Sequence, residues 1–356
     1  MAKTRVAMIG LGMAAGHHAR ALLDLSDRIE CVAAYSRTSG RRKAFAEQFP
    51  TIPTSDSLDA IFADPSIKAI LILTPPSSHL ELVRRAAAAG KHVLLEKPLD
   101  ISLERSEATV RAARDAGVLL GVVLQNRFLD AALKLDEIVK SGRLGDLVDA
   151  SAAIRNWRPQ SYYDAEGRGT LSRDGGGVLL TQGIHTIDLL LNYAGTPAAI
   201  SAFVRTTPIH RMETEDLVTA AFSFEGGAIG SLNATTCAYP GLPERIELIG
   251  TKGTAVLTGN RLDAAFINGT REMAGGETIG SGAGANPMAF GHEMHRALIR
   301  NFIDAIENGG QLRVNGDDAL NAHRFIDAVL LAGTVVKQGP DLHRWPDPPS
   351  AASGGI

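Results

Sequence analysis

The chain has little cysteine, little net charge and no long apolar run, and each scarcity excludes a class of protein. Its two cysteines, Cys31 and Cys237, cannot build a disulfide framework and have no spacing for a structural metal site. Thirty-six basic and 39 acidic side chains give a net charge of −3, which provides no electrostatic footprint for nucleic acid or an anionic membrane. No stretch reaches the roughly 18 apolar residues of a membrane helix, and the run at 6–9 is too short for a signal-peptide core. We therefore expect a soluble, cytoplasmic protein that binds no metal, nucleic acid or membrane.

What the chain does contain is a globular share of hydrophobic residues, 45%, and 37 unevenly placed glycines. Its length of 356 residues predicts about two domains. Seven glycines fall in residues 1–125 and 30 in residues 126–356, so the two parts should be built differently. We predict one domain over 1–125, a second over 126–345 and a loose tail over 346–356.

Residues 1–125 alternate between strand and helix patterns. Strand patterns cover 5–9, 29–35, 69–73, 92–95 and 119–124, and helix patterns cover 14–25, 41–49, 78–89 and 103–116. The run at 69–73 is continuously apolar, as expected for a strand that is buried on both faces of a parallel sheet. Strands separated by helices predict an α/β domain with a doubly wound parallel sheet.

A glycine-rich turn follows the first predicted strand. The run Gly10-Leu11-Gly12-Met13-Ala14-Ala15 matches the pattern G-x-G-x-x-G/A between a strand and a helix. The first glycine permits a tight turn, the second lets the backbone approach a pyrophosphate, and Ala15 lets helix and strand pack closely. The helix N-terminus supplies amide donors to the same phosphates. This turn predicts a dinucleotide site.

The end of the second predicted strand indicates which dinucleotide binds. NAD sites carry an acidic residue there, whereas NADP sites place an arginine near the 2′-phosphate. The segment contains Ser36 and Arg37, followed by Arg41 and Arg42, and no carboxylate. These residues predict NADP, with NAD as the alternative if the arginines only form a solvated helix face.

Polar residues also follow the later strands, at the edge where such sheets bind ligands. Thr74, Pro75 and His79 follow one strand, and Glu96-Lys97-Pro98 follows the next. A lysine that ends a buried strand beside a proline, which cannot continue the ladder, is a poor choice for stability alone. We expect Thr74, Pro75, His79, Glu96 and Lys97, together with Asn126 after the last strand, to contact the cofactor.

The second half predicts further strands and helices with weaker signals. Strand patterns cover 147–155, 200–205, 217–224, 228–233, 244–249 and 254–257, and helices are predicted from 125 to about 140 and over 183–193, 292–307 and 317–336. Gly226-Gly227 predicts a hairpin turn. The segment 268–287 holds six glycines and predicts a flexible loop.

Residues 157–188 contain the candidate acid–base group. Three glycines at 175–177 precede a helix and permit close backbone approach to a ligand. Thr181 and His185 are four residues apart, so they would share one helix face. Asp188 would orient the imidazole and fix its tautomer. We interpret His185 as an acid–base residue, the alternative being a satisfied histidine of the core.

Several motifs together resemble one known family. Gly10-x-Gly12-x-x-Ala15-x-x-His18, Thr74-Pro75-x-x-x-His79, Ala89-Gly90-Lys91-His92-Val93 and Glu96-Lys97-Pro98 are similar to the Gfo/Idh/MocA oxidoreductases, over roughly residues 4–340. That family includes glucose–fructose oxidoreductase and inositol dehydrogenases. The resemblance implies a Rossmann domain followed by an α+β domain with an open, mostly antiparallel sheet. It also implies a homodimer or homotetramer formed through that sheet.

The resemblance further implies an NAD(P)-dependent oxidoreductase. Hydride would pass between the nicotinamide and a secondary alcohol or ketone of a sugar, inositol or sugar derivative, with Lys97 and His185 as the catalytic pair. The family signature D-x-x-x-H places a carboxylate where this chain has Thr181, which cannot act as a base at neutral pH.

A polyol substrate needs hydrogen-bonding partners and an aromatic or apolar floor. The candidates are Arg127, Trp157, Arg158, Tyr163, Arg168, Thr181, Gln182 and His292. Trp157 could instead be core and Arg168 a loop charge, whereas Arg158 and Arg168 keep a nucleotide sugar or sugar phosphate open as substrate.

Two other function classes stay open. One is an NAD-dependent glycoside hydrolase that acts by transient oxidation of the sugar, and the other is a non-catalytic dinucleotide-dependent regulator. Retention of Lys97 and His185 argues against the regulator, whereas the loss of the carboxylate at Thr181 favours it.

Overall fold

A computed structural model describes residues 3–276, 284 and 290–335 of the chain. Its first part is a parallel sheet of six strands in the order β3-β2-β1-β4-β5-β6, which is the Rossmann order. The strands are β1 (Thr4–Ile9), β2 (Ile29–Tyr35), β3 (Thr54–Ser55), β4 (Ala69–Ile72), β5 (His92–Leu95) and β6 (Leu120–Val122). The helices between them are α1 (Ala15–Asp24), α2 (Ser39–Gln48), α3 (Leu58–Ala63), α4 (His79–Ala88) and α5 (Leu103–Asp115). The predicted doubly wound sheet is confirmed.

Both faces of this sheet are covered because successive side chains of a strand point to opposite faces. Ile70 and Ile72 of β4 belong to the apolar cluster that contains Val83 of α4. Leu71 belongs to a second cluster, which contains Leu22 of α1. All four residues of β4 are buried, which explains the continuous apolar run in the sequence.

The second part is an open sheet of nine strands in the order β14-β13-β12-β11-β7-β10-β9-β8-β15. Its strands are β7 (Leu147–Arg155), β8 (Ala199–Arg205), β9 (Leu217–Ser223), β10 (Ile229–Thr235), β11 (Arg245–Gly250), β12 (Gly253–Thr258), β13 (Arg261–Phe266), β14 (Arg271–Gly275) and β15 (Gly333–Val335). Neighbouring strands are antiparallel except for β7 with β10 and β8 with β15. The mostly antiparallel architecture expected from the resemblance is confirmed, and Gly227 forms the predicted hairpin turn with a φ of +86°.

The helices of the second part cover one face of the open sheet and reach back to the first. They are α6 (Asp130–Lys140), α7 (Gln160–Tyr163), α8 (Leu171–Asp174), α9 (Val178–Thr181), α10 (Ile184–Ala194), α11 (Glu293–Asn308) and α12 (Gly316–Ala332). Apolar residues of α11, including Phe302, join the cluster of α1. On α12, His323 accepts a hydrogen bond from the Leu99 backbone N–H at 3.0 Å. Among the described helices, none is both long enough and apolar enough to cross a membrane.

Some predicted elements differ from the observed ones. Part of the predicted flexible loop at 268–287 is strand β14, which pairs with β13 at the sheet edge. The helix predicted over 317–336 ends at Ala332, because Gly333 starts a strand beside β8. The sequence patterns miss β3, α3, β13 and the short helices α7–α9. Residues 277–283 and 285–289, and the predicted tail at 346–356, lie outside the described residues.

A buried ion pair fixes α10 against the short 3₁₀ turn Gln125–Phe128 that follows β6. The guanidinium of Arg127 donates from Nε and Nη2 to the two carboxylate oxygens of Asp188, at 2.7 and 2.6 Å. Asp188 is 1% exposed, so this bidentate contact is shielded from water. Removing one partner would leave the other charge buried and uncompensated.

We expect Arg127→Leu to lower the free energy of unfolding by about 3–5 kcal/mol. The double variant Arg127→Leu/Asp188→Leu should recover most of that loss, because no buried charge remains. Chemical denaturation of both variants measures the difference. A double variant that is no more stable than the single one would contradict this account of the pair.

Candidate active site

A cavity of about 550 Å³ lies between the carboxyl ends of the parallel strands and the helices α8–α10. Ligands bind at this edge in open α/β sheets. Most of the sequence-predicted ligand contacts line this cavity: Gly10, Leu11, Gly12, Met13, Ala14, Ser36, Arg37, Arg41, Thr74, Pro75, Glu96, Lys97, Asn126, Arg158, Arg168, Thr181, Gln182 and His185.

The glycine turn has the space that a dinucleotide pyrophosphate needs. Gly10 has a φ of +107°, and a Cβ atom there would lie 2.7 Å from the Leu73 carbonyl carbon, so only glycine fits. A Cβ atom on Gly12 would meet nothing within 4 Å, so the backbone faces open cavity. Helix α1 begins at Ala15, directly after the turn. The residues present therefore fit a dinucleotide cofactor.

The side chains at the end of β2 are cationic or neutral. Arg37 and Arg41 line the cavity beside Ser36, which is buried. Arg42 faces another way, because its Nη1 donates to the Ser36 carbonyl oxygen at 2.7 Å. Among the described residues of this corner, 35–41, none is acidic.

His79 does not line the cavity, contrary to its predicted contact with the cofactor. Its ring is fully buried, with Nε2 2.8 Å from the Thr74 carbonyl oxygen and Nδ1 3.0 Å from the Pro98 carbonyl oxygen. The imidazole therefore ties the two cavity loops to each other and is shielded from any ligand.

Lys97 lies two residues after the end of β5, and its side chain crosses the cavity to α9. Its Nζ donates to the Thr181 carbonyl oxygen at 2.8 Å. Burial lowers the pKa of Lys97, and the neighbouring Glu96 charge opposes the shift. The Thr181 hydroxyl donates to the Gly177 carbonyl oxygen at 2.7 Å, so both polar groups of Thr181 face protein.

Glu96 belongs to a buried polar cluster with two histidines. Its Oε1 lies 2.8 Å from His18 Nε2. Burial alone would raise the pKa of Glu96, but the hydrogen bond and charge of His18 outweigh it and lower the pKa to about 2. With His295, these residues offer three ligand atoms within 4.8 Å of one another, as do His210, Asp216 and Cys237 elsewhere. Either donor set has the chemistry to hold a transition metal; the absence of a metal stays a prediction.

His185 lies in the first turn of α10. Burial, reinforced by the nearby positive charge of Lys97, lowers the pKa of His185 to about 3, so the ring is neutral near pH 7. The prediction that Asp188 orients this ring is wrong, because Arg127 holds both carboxylate oxygens of Asp188. In the part of the chain that the structure describes, the buried Nδ1 of His185 has no hydrogen-bond partner.

Thr181 and His185 share the cavity but not a helix. Helix α9 ends at Thr181 and α10 begins at Ile184, with Gln182 and Gly183 between them. A Cβ atom on Gly183 would lie 2.9 Å from the Ile154 Cδ1, so glycine lets the break pack closely against β7.

Of the three glycines at 175–177, Gly175 and Gly177 approach protein backbone, and Gly176 approaches the Leu180 side chain. A Cβ atom on Gly175 would lie 2.4 Å from the Ile101 Cα, and one on Gly177 would overlap the Glu215 carbonyl oxygen. The Glu215 carboxylate accepts the Gly177 and Leu179 N–H groups at 3.0 and 3.1 Å and so caps α9. Burial raises the pKa of Glu215 to about 7, although these N–H groups oppose it. The prediction that these glycines approach a ligand is wrong, because their neighbours are protein atoms and the glycines serve packing.

Three arginines of the 157–174 segment line the cavity: Arg158, Arg168 and Arg173. Arg158 is 2% exposed, and its Nη2 donates to the Gln182 Oε1 at 2.6 Å. Arg168 stacks on the Tyr162 ring at 4.2 Å and approaches the Met13 sulfur at 3.8 Å. Arg168 therefore connects α7 to the glycine turn.

Four predicted substrate contacts lie away from the cavity. Arg127 is held by Asp188, and the Trp157 ring packs against the Tyr239 ring at 5.5 Å. The Tyr163 hydroxyl donates to Thr236 Oγ1 at 3.0 Å, and His292 Nε2 contacts Asp24 Oδ2 at 2.9 Å on the surface. Their residue types fit a polyol site, but each side chain has a protein partner that sequence spacing does not reveal.

Sequence reasoning missed several polar residues of the cavity wall, among them Gln125, Asn156 and Glu244. Burial raises the pKa of Glu244, and hydrogen bonds from Thr186 and Asn156 oppose the shift. Glu244 stands directly before β11, outside any motif, so no sequence signal marks it.

Comparisons with known proteins agree with this architecture. Residues 4–124 match the family model described as oxidoreductase family, NAD-binding Rossmann fold, and residues 132–256 match the Gfo/Idh/MocA C-terminal domain. Mouse trans-1,2-dihydrobenzene-1,2-diol dehydrogenase is 31% identical over 257 residues, which cover 70% of this chain and 73% of the relative.

Two further proteins align over nearly the whole chain. Bacillus subtilis scyllo-inositol 2-dehydrogenase (NADP⁺) is 25% identical over 341 residues, 92% of each chain. The structure of the WlbA dehydrogenase from Bordetella pertussis, in complex with NADH and UDP-GlcNAcA, has a TM-score of 0.79 at 28% identity and covers 93% of this chain and 96% of that one. The Rossmann sheet, its glycine turn, the open second sheet and these matches lead to one conclusion: the chain belongs to the Gfo/Idh/MocA family of NAD(P)-binding oxidoreductases.

Proposed function

We propose that this protein is an NAD(P)-dependent dehydrogenase or reductase that acts on a secondary alcohol or ketone of a sugar, inositol or sugar derivative. The observation that carries the proposal is that Lys97 and His185 line the same cavity as the open glycine turn. A cation and a neutral imidazole beside a dinucleotide site are the groups that proton transfer at a carbinol oxygen requires.

The proposed chemistry assigns one task to each side chain. The nicotinamide, when bound, supplies the hydride acceptor or donor. During alcohol oxidation, neutral His185 accepts the hydroxyl proton, and Lys97 donates a hydrogen bond to the same oxygen and stabilises its developing negative charge. During ketone reduction the proton moves the other way. Thr181 holds the Lys97 ammonium through its carbonyl oxygen, which leaves two N–H groups for the substrate.

The substrate class is supported by the cavity and by relatives. The cavity wall offers hydroxyl-binding groups of both kinds, including the donors Arg168 and Lys97 and the acceptor Glu244. One relative is named for scyllo-inositol and another was solved with UDP-GlcNAcA.

We also propose that the chain forms a homodimer or homotetramer through the open face of its second sheet. On that face Phe203 and Ile229 are 60% and 63% exposed, which is unusual for large apolar side chains of a sheet. Light scattering measures the mass directly, and a monomeric wild-type protein would contradict this assembly.

For the cofactor we propose a preference for NADP. Arg37→Ala and Arg41→Ala should each raise the KM for NADP roughly 10-fold or more, since each would remove a charge-assisted bond to the 2′-phosphate. The KM for NAD should change little, and Arg324→Ala on the surface of α12 serves as the control. A wild-type enzyme that strongly prefers NAD would refute the preference.

For catalysis we expect His185→Ala and Lys97→Met each to lower turnover by roughly 10²-fold or more. The Kd of the reduced cofactor, measured by its fluorescence, should stay nearly constant, because the glycine turn and the end of β2, which supply most of the predicted cofactor contacts, are unchanged. Lys68→Met, which replaces an exposed lysine, should keep wild-type turnover.

The assay is absorbance at 340 nm with both cofactors and a panel containing scyllo-inositol, myo-inositol, glucose and aryl glycosides. Near-normal turnover in either variant would remove that residue from the mechanism. Cleavage of aryl glycosides with no net reduced cofactor would favour the glycoside hydrolase. Cofactor binding without turnover of any compound would favour the regulator.

A further inference from the structure

A carboxylate reaches the cavity from the second sheet, although the sequence lacks one at position 181. Glu244 stands directly before β11 and lines the cavity. Its Oε2 accepts a hydrogen bond from the Thr186 hydroxyl, and its Oε1 accepts one from Asn156 Nδ2 at 3.3 Å. Thr186 follows His185 directly on α10, so the carboxylate is anchored next to the proposed base.

Asn156 is oriented by this contact and presents an acceptor with no partner. Because its Nδ2 faces Glu244, its Oδ1 must point the other way. Asn156 is 3% exposed, and its buried Oδ1 bonds to nothing among the described residues. Its backbone is already engaged, since its N–H donates to the Thr235 carbonyl oxygen at 2.9 Å and its carbonyl oxygen accepts the Ala238 N–H at 3.0 Å. A buried acceptor on a cavity wall requires a donor from whatever fills the cavity.

The two acceptors lie beside the cations of the same cavity. Glu244 interacts electrostatically with both Lys97 and Arg158. The wall therefore has donors at Lys97 and acceptors at Glu244 and Asn156. The side chains of Glu244 and Asn156 are hydrogen-bonded to each other, so their acceptor atoms are close together. A ligand that satisfies the acceptors must carry hydrogen-bond donors on neighbouring atoms. Adjacent hydroxyl groups of a sugar or inositol ring have this arrangement.

We propose that Glu244 and Asn156 form a subsite that binds hydroxyl groups of the substrate adjacent to the reacting carbon. The subsite rests on the proposed function and sharpens its substrate class to polyols with neighbouring hydroxyl groups. It gives this chain a substrate-binding carboxylate in place of the one that position 181 lacks. Thr181 itself has no free polar group for the substrate, because its hydroxyl and carbonyl are both hydrogen-bonded to protein.

The first test is Glu244→Gln, which keeps the shape and removes the charge. For glucose or scyllo-inositol, whichever the wild type turns over, kcat/KM should fall roughly 10- to 100-fold, as expected for the loss of a hydrogen bond to a charged group. The Kd of NADPH should be unchanged. Glu247→Gln is the matched control, because Glu247 lies on β11, three residues after Glu244, and accepts from Arg245 at 2.9 Å outside the cavity.

Monodeoxy analogues of the substrate show whether Glu244 contacts a substrate hydroxyl directly or only positions neighbouring residues. If Glu244 contacts one substrate hydroxyl, the analogue that lacks this hydroxyl should be turned over equally by wild type and Glu244→Gln. An equal fractional loss for every analogue would overturn the subsite, as would a KM within twofold of wild type. A parallel rise in the Kd of NADPH would assign the acceptors to the cofactor and would also overturn it.

Thr186 provides a second variant in case Glu244→Gln does not fold. Thr186→Val removes the hydroxyl that anchors Glu244 and should reproduce the loss in part, whereas Thr186→Ser should restore wild-type kcat/KM. A Thr186→Val enzyme with wild-type kcat/KM on both substrates would count against the subsite.

The proposed function and the subsite can fail separately. If the wild type oxidises no polyol with either cofactor, the proposed function fails. Isothermal titration of scyllo-inositol and glucose into the NADPH-loaded protein then still measures the subsite. Binding that Glu244→Gln weakens supports it, and a wild type that binds neither compound overturns it.

Discussion

The hydrogen bond from Lys97 to the Thr181 carbonyl oxygen is the contact on which the site depends, because a buried ammonium is costly unless it is hydrogen-bonded. This bond joins the end of a parallel strand to the end of α9, which belongs to the second part of the chain. Further hydrogen bonds fix the segments that carry Lys97 and Thr181. His323 accepts the Leu99 N–H, and Glu215 caps the first turn of α9. The position of one amine is therefore set by residues from both parts of the chain.

The charge of the cavity differs in sign from that of the whole protein. The chain carries −3, but the described residues that line the cavity include six cations, Arg37, Arg41, Lys97, Arg158, Arg168 and Arg173, and three carboxylates, Glu96, Asp174 and Glu244. A concave site with excess positive charge attracts an anionic dinucleotide and raises its rate of association. The net charge of the whole chain does not show this, because it sums the cavity with the remaining residues, which are acidic overall.

Local patterns predicted much of the fold. The strands at 29–35, 92–95 and 147–155 have the predicted bounds, because apolar runs and alternation report burial directly. Edge strand β14 has no such signal, since its side chains are exposed or half-buried.

The contacts between side chains were harder to predict than the positions of the helices and strands. The spacing of His185 and Asp188 permits a contact, but Arg127, 61 residues earlier than Asp188, takes the carboxylate instead. Glu244 and Asn156 are 88 residues apart and meet only because β11 pairs with β7. Motifs located the cofactor turn and the Lys97–His185 pair, whereas the cavity wall depends on sheet register that the sequence does not display.

The packing of α11 has a consequence for how the chain folds during its synthesis. Leu298, Ile299, Phe302 and Ile303 complete the apolar cluster beneath α1, although they are synthesised long after the parallel strands that they cover. At a translation rate of about 5–20 residues per second, roughly 10 to 40 seconds separate the emergence of β6 from that of α11. During this interval one face of the nascent Rossmann sheet stays partly uncovered, so this domain reaches its final form only when the second one is nearly complete.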